Sequence, residues 1–293
     1  MRSLHLLGGQ EILLNRPVIM GVLNVTPDSF SDGGQWTDPV TAAGHGLAMV
    51  QAGAQIIDVG GESTRPGSQR IPPHDQINRV RPTIERLREL LSKKNLEAAI
   101  SIDTTQTAVA EAARQAGASI LNDISAGRED PGIFDLAAQW GCPLVLMHMQ
   151  GEPGTMQVSP TYHDVVEEVQ TFLLDRARAA ETAGVAREQV VIDPGIGFGK
   201  SREHNLALLA NLKRFVDTGY PVLLGTSRKR FMGSICTDAD GNPPAPAKLV
   251  SATCATTSLG VAAGVAIFRV HDIHANRQAA DVSWRISQAA SAG

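Results

Sequence analysis

Two kinds of segment alternate along the whole chain. Short apolar runs, which are typical of strands buried on both faces, alternate with longer segments in which apolar residues recur every three or four positions, as on one face of a helix. Eight apolar runs are predicted to be strands. They cover residues 18–23, 56–59, 98–102, 119–121, 143–147, 190–192, 222–224 and 265–270.

Helical periodicity fills the intervals between these runs. The predicted helices lie at about residues 40–54, 77–91, 109–116, 133–140, 165–176, 206–212, 249–261 and 273–290. Strict alternation of strand and helix implies parallel strands joined by right-handed crossovers, and eight units is the number that closes a (β/α)8 TIM barrel. An α/β barrel is therefore predicted. A doubly wound open sheet is the main alternative.

A short hairpin precedes the first predicted barrel strand. Apolar residues 4–7 and 12–14 flank Gly8 and Gly9, which is typical of two short strands joined by a turn. No linker or low-complexity segment divides the rest, so residues 1–293 are predicted to form one domain, with the hairpin at 1–15 and the barrel at 16–293. Residues 238–246 contain several prolines and a glycine and are predicted to form a surface loop.

Composition narrows the class of protein. The 293 residues are 43% hydrophobic and 19% charged, which is typical of a globular protein with a large core. A net charge of −4 gives no overall attraction for nucleic acid or for an anionic membrane, so neither is an expected partner. Any anion-binding site must be local.

Cysteine usage and the termini indicate the compartment. Cys142, Cys236 and Cys254 are widely spaced, so neither a disulfide framework nor a zinc site is suggested, and a cytoplasmic location is expected. The first ten residues lack the apolar core and cleavage signal of a secretory peptide. Residues 251–268 are uncharged, but their Ser, Thr and Gly content favours a helix followed by a strand over a membrane span.

Polar residues collect at the carboxyl ends of the predicted strands, which form the active face of a parallel barrel. Acceptor groups come from the middle strands, and basic groups come from the last two strands and one early loop. The residues at these positions are Asn24, Asp58, Glu62, Thr64, Arg65, Asp103, Asn122, Asp123, Met147, His148, Asp193, Lys229, Arg269 and His271.

The basic group predicts an anion site. Loops after the seventh and eighth strands often bind phosphate in this fold. Arg269 ends an otherwise apolar strand, where an arginine has no structural use, so it is predicted to bind the anion through paired N–H groups, with His271 as a further donor. Arg65 could bind in the same way or form a surface ion pair.

The acidic and amide group predicts a planar ligand. Carboxylates at the ends of buried strands are costly unless they are paired. A heterocycle with adjacent ring N–H and exocyclic amino groups would offer two donors to one of the acceptors Asp103, Asn122 and Asp193. For Asp103 the alternative is a helix N-cap, since a helix is expected from about Thr105.

The segment DPGIGFGKS at residues 193–201 is not a nucleotide-binding loop. The P-loop pattern needs a glycine where Pro194 stands, and G-x-G-x-x-G needs one at Lys200. Its glycines are interpreted as letting the backbone pass close to a flat ligand covered by Phe198, or as a plain tight turn. His148 follows the fifth strand, where it could be catalytic, but a packed histidine is the favoured interpretation. With no nucleophile in a recognisable setting, the face favours displacement of a leaving group over a covalent intermediate.

Eight segments resemble, in order and over nearly the whole chain, the motifs of the dihydropteroate synthase family. They are GVLNVTPDSFSDGG, DVGGESTRPGS, SIDT, LNDISAG, LMHMQG, DPGIGFGK, GTSRKRF and RVHD. The resemblance implies a barrel enzyme of folate biosynthesis with two small-molecule substrates. It would join 6-hydroxymethyl-7,8-dihydropterin pyrophosphate to 4-aminobenzoate and release pyrophosphate, with Mg²⁺ as cofactor and a homodimer packed through barrel helices.

The resemblance also implies roles for single residues. Asp103, Asn122, Asp193 and Lys229 would hold the pterin, with Met147 lining its pocket and Phe198 covering it. Asn24 would bind the metal and, with Arg269 and His271, the pyrophosphate. Phe30 and Asp32 belong to a first loop, and Thr64, Arg65 and Pro66 to a second, which together complete the aminobenzoate pocket. The implied catalytic residues are Asp32, Arg65, Lys229, Arg269 and His271.

One position departs from the family pattern, and two other functions stay open. Some members have a serine after the lysine of GTSRKRF, contacting aminobenzoate, whereas this chain has Arg230, whose side chain or backbone N–H would have to substitute. A corrinoid-linked methyltransferase would use the same barrel and pterin acceptors but would not need the basic residues. A non-catalytic paralogue would retain the pocket without the reaction.

Overall fold

A parallel barrel forms the body of the protein in the computed structural model, which describes residues 2–26, 38–63, 70–151 and 154–291. An antiparallel hairpin of β1 and β2 precedes eight parallel strands, β3 to β10. The strands are β1 (Ser3–His5), β2 (Glu11–Leu13), β3 (Val18–Asn24), β4 (Ile56–Gly60), β5 (Ala99–Asp103), β6 (Ile120–Asp123), β7 (Leu144–Met147), β8 (Val190–Asp193), β9 (Leu223–Leu224) and β10 (Ile267–Val270).

The strand order confirms the predicted (β/α)8 architecture. Neighbours run β8-β7-β6-β5-β4-β3-β10-β9, and a parallel bridge between Ile192 and Val222 joins the two ends, so the barrel is nearly closed. The helices are α1 (Pro39–Gln51), α2 (Pro73–Lys93), α3 (Thr107–Ala116), α4 (Gly132–Trp140), α5 (Val165–Thr182), α6 (Arg202–Ala210), α7 (Leu212–Val216), α8 (Arg230–Gly233), α9 (Val250–Ala263) and α10 (Ile273–Ser291).

The largest difference from the predicted elements follows β8, the sixth strand of the barrel. The single helix expected at residues 206–212 is two helices, α6 and α7, which meet at Asn211. The Asn211 side chain donates to the Ala207 carbonyl oxygen over 2.8 Å, competing with the backbone bond that would continue the helix. The short α8 after β9 was not predicted, because four residues show no helical period.

Local signals set several helix boundaries. Asp38 caps α1 by accepting from the backbone N–H groups of Val40 and Thr41, and proline follows it at the first helical position. Ser201 and His204 form a reciprocal capping box at the start of α6. Such signals place the helices that alternate with the barrel strands.

The hairpin packs against the amino-terminal end of the barrel. Leu4, Leu6 and Ile12 of the hairpin share one apolar cluster with residues at the starts of the barrel strands, among them Val18 and Ile56. A larger cluster lies between the strands and the surrounding helices. The amino-terminal end is therefore covered, and the polar strand ends lie at the opposite end.

Two further sequence expectations concern exposed or uncharged segments. Residues 238–246 form no helix or strand apart from the first residue of a 3-10 turn at Pro246, in agreement with the predicted loop. Residues 251–268 form most of α9 and the start of β10. None of the helices in the described ranges is long and apolar enough to cross a membrane.

Candidate active site

An open cavity lies at the carboxyl end of the barrel. It brings together the acceptors Asp103, Asn122 and Asp193 with the basic residues Lys229, Arg269 and His271. The other lining residues are Val22, Ile124, Met147, Phe198, Gly225 and Ser227. The acidic and basic groups expected at this face therefore surround one shared space.

Arg269 links the strands on two sides of this cavity. Its Nε donates to Oδ2 of the fully buried Asp58 over 2.6 Å, and its Nη2 donates to Oδ2 of Asp103 over 2.7 Å. Burial alone would lower the pKa of Arg269, but the two carboxylates outweigh it and raise that pKa above its ordinary value. The guanidinium therefore stays charged and is fixed in orientation.

Asp58 and Asn122 extend this network. Asn122 Nδ2 donates to the same Asp58 oxygen over 2.9 Å, so one carboxylate orients two residues that line the cavity. The other oxygen of Asp58 is buried and has no hydrogen-bond partner among the described residues. Asp58 does not line the cavity itself, but it fixes Arg269 and Asn122, which do.

Asp103 is a cavity residue and not a helix cap. Helix α3 begins at Thr107, and its N-cap residue Gln106 makes no side-chain cap bond. The backbone N–H of Thr107 donates instead to Asp130 Oδ2 over 2.8 Å. Burial raises the pKa of Asp103 to about 7; Arg269 opposes this shift and Asp58 adds to it. Burial thus makes the charge of Asp103 sensitive to its neighbours.

Lys229 reaches back from the start of α8 toward the loop after β8. Its Nζ donates to the carbonyl oxygen of Ile196 and lies 4.4 Å from the ring centroid of Phe198. Burial lowers the pKa of Lys229 to about 7, an effect that Asp193 opposes and Arg269 strengthens. Lys229 is thus a donor whose charge is sensitive to its surroundings.

Asp193 closes β8 opposite this lysine. One of its oxygens accepts from the backbone N–H of Gly195 over 2.7 Å. Burial raises the pKa of Asp193, and the positive charge of Lys229 opposes that shift. The carboxylate therefore stabilises its own turn and also faces the cavity.

The glycines after Asp193 allow the chain to pass close to its own backbone. Gly195 has a φ of 66°, and a Cβ there would lie 1.9 Å from the carbonyl oxygen of His148. Gly199 has a φ of 62° and would meet the Gln150 carbonyl oxygen at 2.3 Å. The glycines permit this packing against the loop after β7, which is the tight-turn interpretation.

Lys200 fixes the same turn from inside. Its buried Nζ donates to the carbonyl oxygens of His148, Gly195 and Phe198 and lies 2.9 Å from Nδ1 of His148. His148 is buried and meets the Phe172 ring edge-on, with the ring centroids 4.9 Å apart. His148 is therefore the packed histidine that was expected.

One wall of the cavity is apolar. Phe198 packs against a buried cluster of Ile124, Met147, Met149 and Met156. Long, unbranched methionine side chains adapt to a flat surface laid against them. The arrangement suits a planar ring held at its edge by the polar groups.

Known proteins resemble this chain in sequence along most of its length. The family model described as pterin binding enzyme matches residues 20–271. The dihydropteroate synthase of Mycobacterium leprae is 46% identical over 265 residues, which cover 90% of this chain and 91% of the relative. This chain belongs to the dihydropteroate synthase family. Dihydropteroate synthases are transferases of folate biosynthesis, so this chain is a transferase of that family.

Solved dihydropteroate synthases share the fold. The Xanthomonas albilineans dihydropteroate synthase with 4-aminobenzoic acid superposes with a TM-score of 0.87 at 43% identity, covering 98% of both chains. The same organism's enzyme in complex with 7,8-dihydropteroate superposes with a TM-score of 0.83 at 40% identity, covering 98% of this chain and 99% of the other. Fold and family resemblance therefore agree.

Five of the implied residues lie in segments that the structure does not describe, and a sixth, Arg230, is described but does not line the cavity. Phe30 and Asp32 of the first loop and Thr64, Arg65 and Pro66 of the second lie outside the described residues. Arg230 begins α8 with an exposed side chain and is not among the cavity residues, so its contact with aminobenzoate stays a prediction.

Other residues of the site were missed from the sequence. Ser227 accepts from the His271 backbone N–H over 3.1 Å, and its Oγ lies 3.0 Å from His271 Nδ1. The one signal for Ser227 in the sequence was its position in a polar segment directly after a predicted strand. Ile124 gave no signal, because an apolar residue of a pocket wall looks like any other in a sequence.

Asn24 is the implied metal ligand. The described part of the chain contains no group of three or more His, Cys, Asp or Glu side chains placed to hold a metal ion. A Cβ built on Gly60 would lie 3.4 Å from Asn24 Oδ1 and 3.7 Å from Asp103 Oδ2, so these two oxygens flank one point beside the network. Oxygen donors are what Mg²⁺ prefers, and it binds readily to one or two protein groups plus substrate phosphates.

Proposed function

We propose that this cavity binds 6-hydroxymethyl-7,8-dihydropterin pyrophosphate and directs its condensation with 4-aminobenzoate to give 7,8-dihydropteroate and pyrophosphate. The observation that carries the proposal is the shared cavity of Asp103, Asn122 and Asp193 with Lys229, Arg269 and His271. One substrate offers both a flat ring with several donors and a strongly anionic group. The two halves of the cavity match these two parts.

The acceptor half holds the pterin ring. Asp103, Asn122 and Asp193 accept hydrogen bonds from the ring N–H and exocyclic amino groups, and Lys229 donates to a ring acceptor from the other side. Met147 and Phe198 pack on the ring faces, in keeping with their positions in the apolar wall. Bonds to charged groups in a buried site fix both the position and the orientation of the ring.

The basic half holds the pyrophosphate. Arg269 and His271 stand at the end of β10, where phosphate groups are commonly bound in barrels of this kind. As the family resemblance implies, Arg65 of the second loop also binds the pyrophosphate. Asp32 of the first loop is the other loop residue with an implied catalytic role. Fixed positive charge at the leaving oxygen lowers the barrier to its departure.

The reaction needs little acid or base help from the protein. The bond between the methylene carbon and the pyrophosphate oxygen breaks with its electron pair, which leaves on the pyrophosphate. Electron donation from the reduced ring stabilises the cationic methylene. The neutral arylamine then forms the carbon–nitrogen bond and releases one proton. The residues of the chain position both reactants and stabilise the departing charge.

Mg²⁺ belongs to this proposal as cofactor. Bound beside the pyrophosphate, it would neutralise part of the charge on the leaving group. Asn24 would hold it through the side-chain oxygen, with substrate phosphates supplying other ligands. The position of Asn24 at the carboxyl end of β3, on the face that carries the cavity, supports this placement.

A cytoplasmic homodimer completes the proposal. Leu259 on α9 and Val282 and Ile286 on α10 are 61%, 61% and 65% exposed. These helices pack on each other, so their exposed apolar side chains are available to a second copy of the chain. Sedimentation equilibrium tests this: a single species with the mass of one chain at micromolar concentration would contradict it.

Pyrophosphate release tests the reaction. Purified protein is expected to release pyrophosphate only when both substrates and Mg²⁺ are present, without any corrinoid protein, and mass spectrometry should find 7,8-dihydropteroate in equal amount. Protein that binds the pterin but releases no pyrophosphate would instead be a non-catalytic paralogue. Methyl transfer to a corrinoid protein would support the alternative enzyme class.

A further inference from the structure

Arg228 lies between two cavity residues in an uncommon backbone conformation. Ser227 and Lys229 both line the cavity, and the residue between them has a φ of 60°. Residues other than glycine seldom adopt this left-handed conformation unless their surroundings hold them in it. The direction in which Ser227 and Lys229 point therefore depends on what holds Arg228.

A bidentate ion pair with Asp272 holds Arg228 in this conformation. Arg228 Nε donates to Asp272 Oδ2 over 3.1 Å, and Nη2 donates to Asp272 Oδ1 over 2.7 Å. Both side chains are largely shielded from solvent, so the pair is screened less than one on the surface. The Arg228 backbone N–H also lies within 3.5 Å of Thr253 Oγ1 of α9, a long hydrogen bond that adds a weaker contact.

Asp272 directly follows His271 at the end of β10. The pair therefore ties the segment after β9, which carries Ser227 and Lys229, to the segment that carries His271. Ser227 also contacts His271 directly through its hydroxyl oxygen. Two connections between the segments, one from Ser227 and one from the strained residue itself, fix their relative position.

We propose that Arg228 and Asp272 are positioning residues that hold the left-handed turn, and so keep the ammonium of Lys229 and the imidazole of His271 in the cavity. This inference rests on the proposed function, because it assigns the pair to the groups that hold the pterin ring and the pyrophosphate. Neither Arg228 nor Asp272 is among the residues lining the cavity, so they act through their neighbours.

Asp272→Asn tests the pair, because it keeps the size of the side chain and removes its charge. The matched control is Asp281→Asn on α10. Asp281 holds Arg277 in the same bidentate way, with 3.0 Å and 2.6 Å contacts, and Arg277 also bonds to the Pro17 carbonyl oxygen at the opposite end of the barrel. Both variants are expected to lower Tm by a similar small amount.

Kinetics and binding should separate the two variants. Asp272→Asn is expected to lower kcat/KM for the pterin substrate about tenfold or more, as displaced catalytic groups do, and to weaken calorimetric binding of 6-hydroxymethylpterin. Asp281→Asn should keep the wild-type values. Equal kinetic and binding values in the two variants would overturn the proposal.

Glycine and alanine at position 228 test the strain itself. Both substitutions remove the guanidinium, but glycine adopts a φ of 60° without a steric penalty and alanine does not. Arg228→Gly should therefore keep a several-fold higher kcat/KM than Arg228→Ala. Alanine that performs as well as glycine would contradict the inference, even if Asp272→Asn failed to fold.

The test also separates this inference from the proposed function. Pyrophosphate release by the wild-type protein decides the function, whatever the variants do. If the wild-type protein bound 6-hydroxymethylpterin but released no pyrophosphate, the reaction would be wrong, and the calorimetric comparison of Asp272→Asn with Asp281→Asn would still decide the positioning role.

Discussion

Arg269 and Asp103, which are 166 positions apart in the chain, are joined by a 2.7 Å hydrogen bond across the mouth of the barrel. The bond connects the basic half of the site to the acidic half. A charged pair shielded from solvent is strongly coupled, so a change at either residue alters the other. The pterin end and the pyrophosphate end of the site are therefore not independent.

Lys229→Ala should weaken pterin binding about tenfold or more, because it removes a charged donor worth about 1.5–3 kcal/mol. Isothermal calorimetry with 6-hydroxymethylpterin measures this. Lys213→Ala is the control, since Lys213 is exposed and pairs with Asp217 on its own helix. Equal affinity of the Lys229 variant and the wild type would contradict the assigned role.

Asp193→Asn keeps an acceptor for the Gly195 N–H but loses the negative charge. Pterin affinity should fall while the thermal unfolding temperature changes little, because the turn keeps its hydrogen bond. Asp193→Ala should lose both the affinity and part of the stability. Undiminished affinity in both variants would restrict Asp193 to a structural role in the turn.

Asp58→Ala should destabilise the fold by about 3 kcal/mol, since it leaves a buried guanidinium with one carboxylate fewer and removes the acceptor of Asn122. Urea denaturation followed by circular dichroism measures the free energy of unfolding. Asp175→Ala serves as control, because its pair with Arg178 is exposed and should matter by less than about 0.5 kcal/mol. Similar losses in both variants would argue against the network.

Pterin affinity should be greatest near pH 7. Asp103 has a pKa raised to about 7 by burial and accepts best when ionised, so affinity should fall as the pH drops below that value. Lys229 has a pKa lowered to about 7, also by burial, and donates best when protonated, so affinity should fall as the pH rises above it. Calorimetry of 6-hydroxymethylpterin binding across this range measures both limbs.

The matched variant for the pH dependence is Asp103→Asn, which cannot ionise. Its affinity should be lower than that of the wild type near pH 7 and should no longer decline on the acid side. Titration of the ligand itself is the same in both proteins and cancels from the comparison. An unchanged acid limb in the variant would show that a group other than Asp103 controls it.

Asn24→Ala should raise several-fold the Mg²⁺ concentration that gives half-maximal pyrophosphate release, because it removes the proposed protein ligand. Asn242→Ala, in the exposed loop after α8, should leave that concentration unchanged. The proposed metal site would be wrong if the two variants had the same Mg²⁺ dependence.

The barrel and the meeting of Asp193 with Arg269 could be predicted, because both follow from short-range patterns. Strand and helix periods are visible within about ten residues, and parallel strands necessarily place their carboxyl ends on one face. Asp193 and Arg269 both end strands, so their common cavity required no knowledge of side-chain packing.

The partners of the charged residues could not be predicted. Arg269 was expected to bind an anion, yet two of its donors are already bonded to Asp58 and Asp103. Lys200 was given no role from the sequence, and its ammonium bonds to three backbone carbonyl groups. Such pairings depend on distances between segments far apart in sequence, which no local pattern records.

The hairpin of β1 and β2 bears on how substrates reach the site and how the product leaves it. It packs Leu4, Leu6 and Ile12 against the starts of the barrel strands, and side chains fill the barrel interior, so the carboxyl end serves as both entrance and exit. In a site with one opening, the ligand that binds deepest must bind first. The pterin, held at the strand ends, should therefore precede aminobenzoate, and the finished product must leave before another turnover can begin.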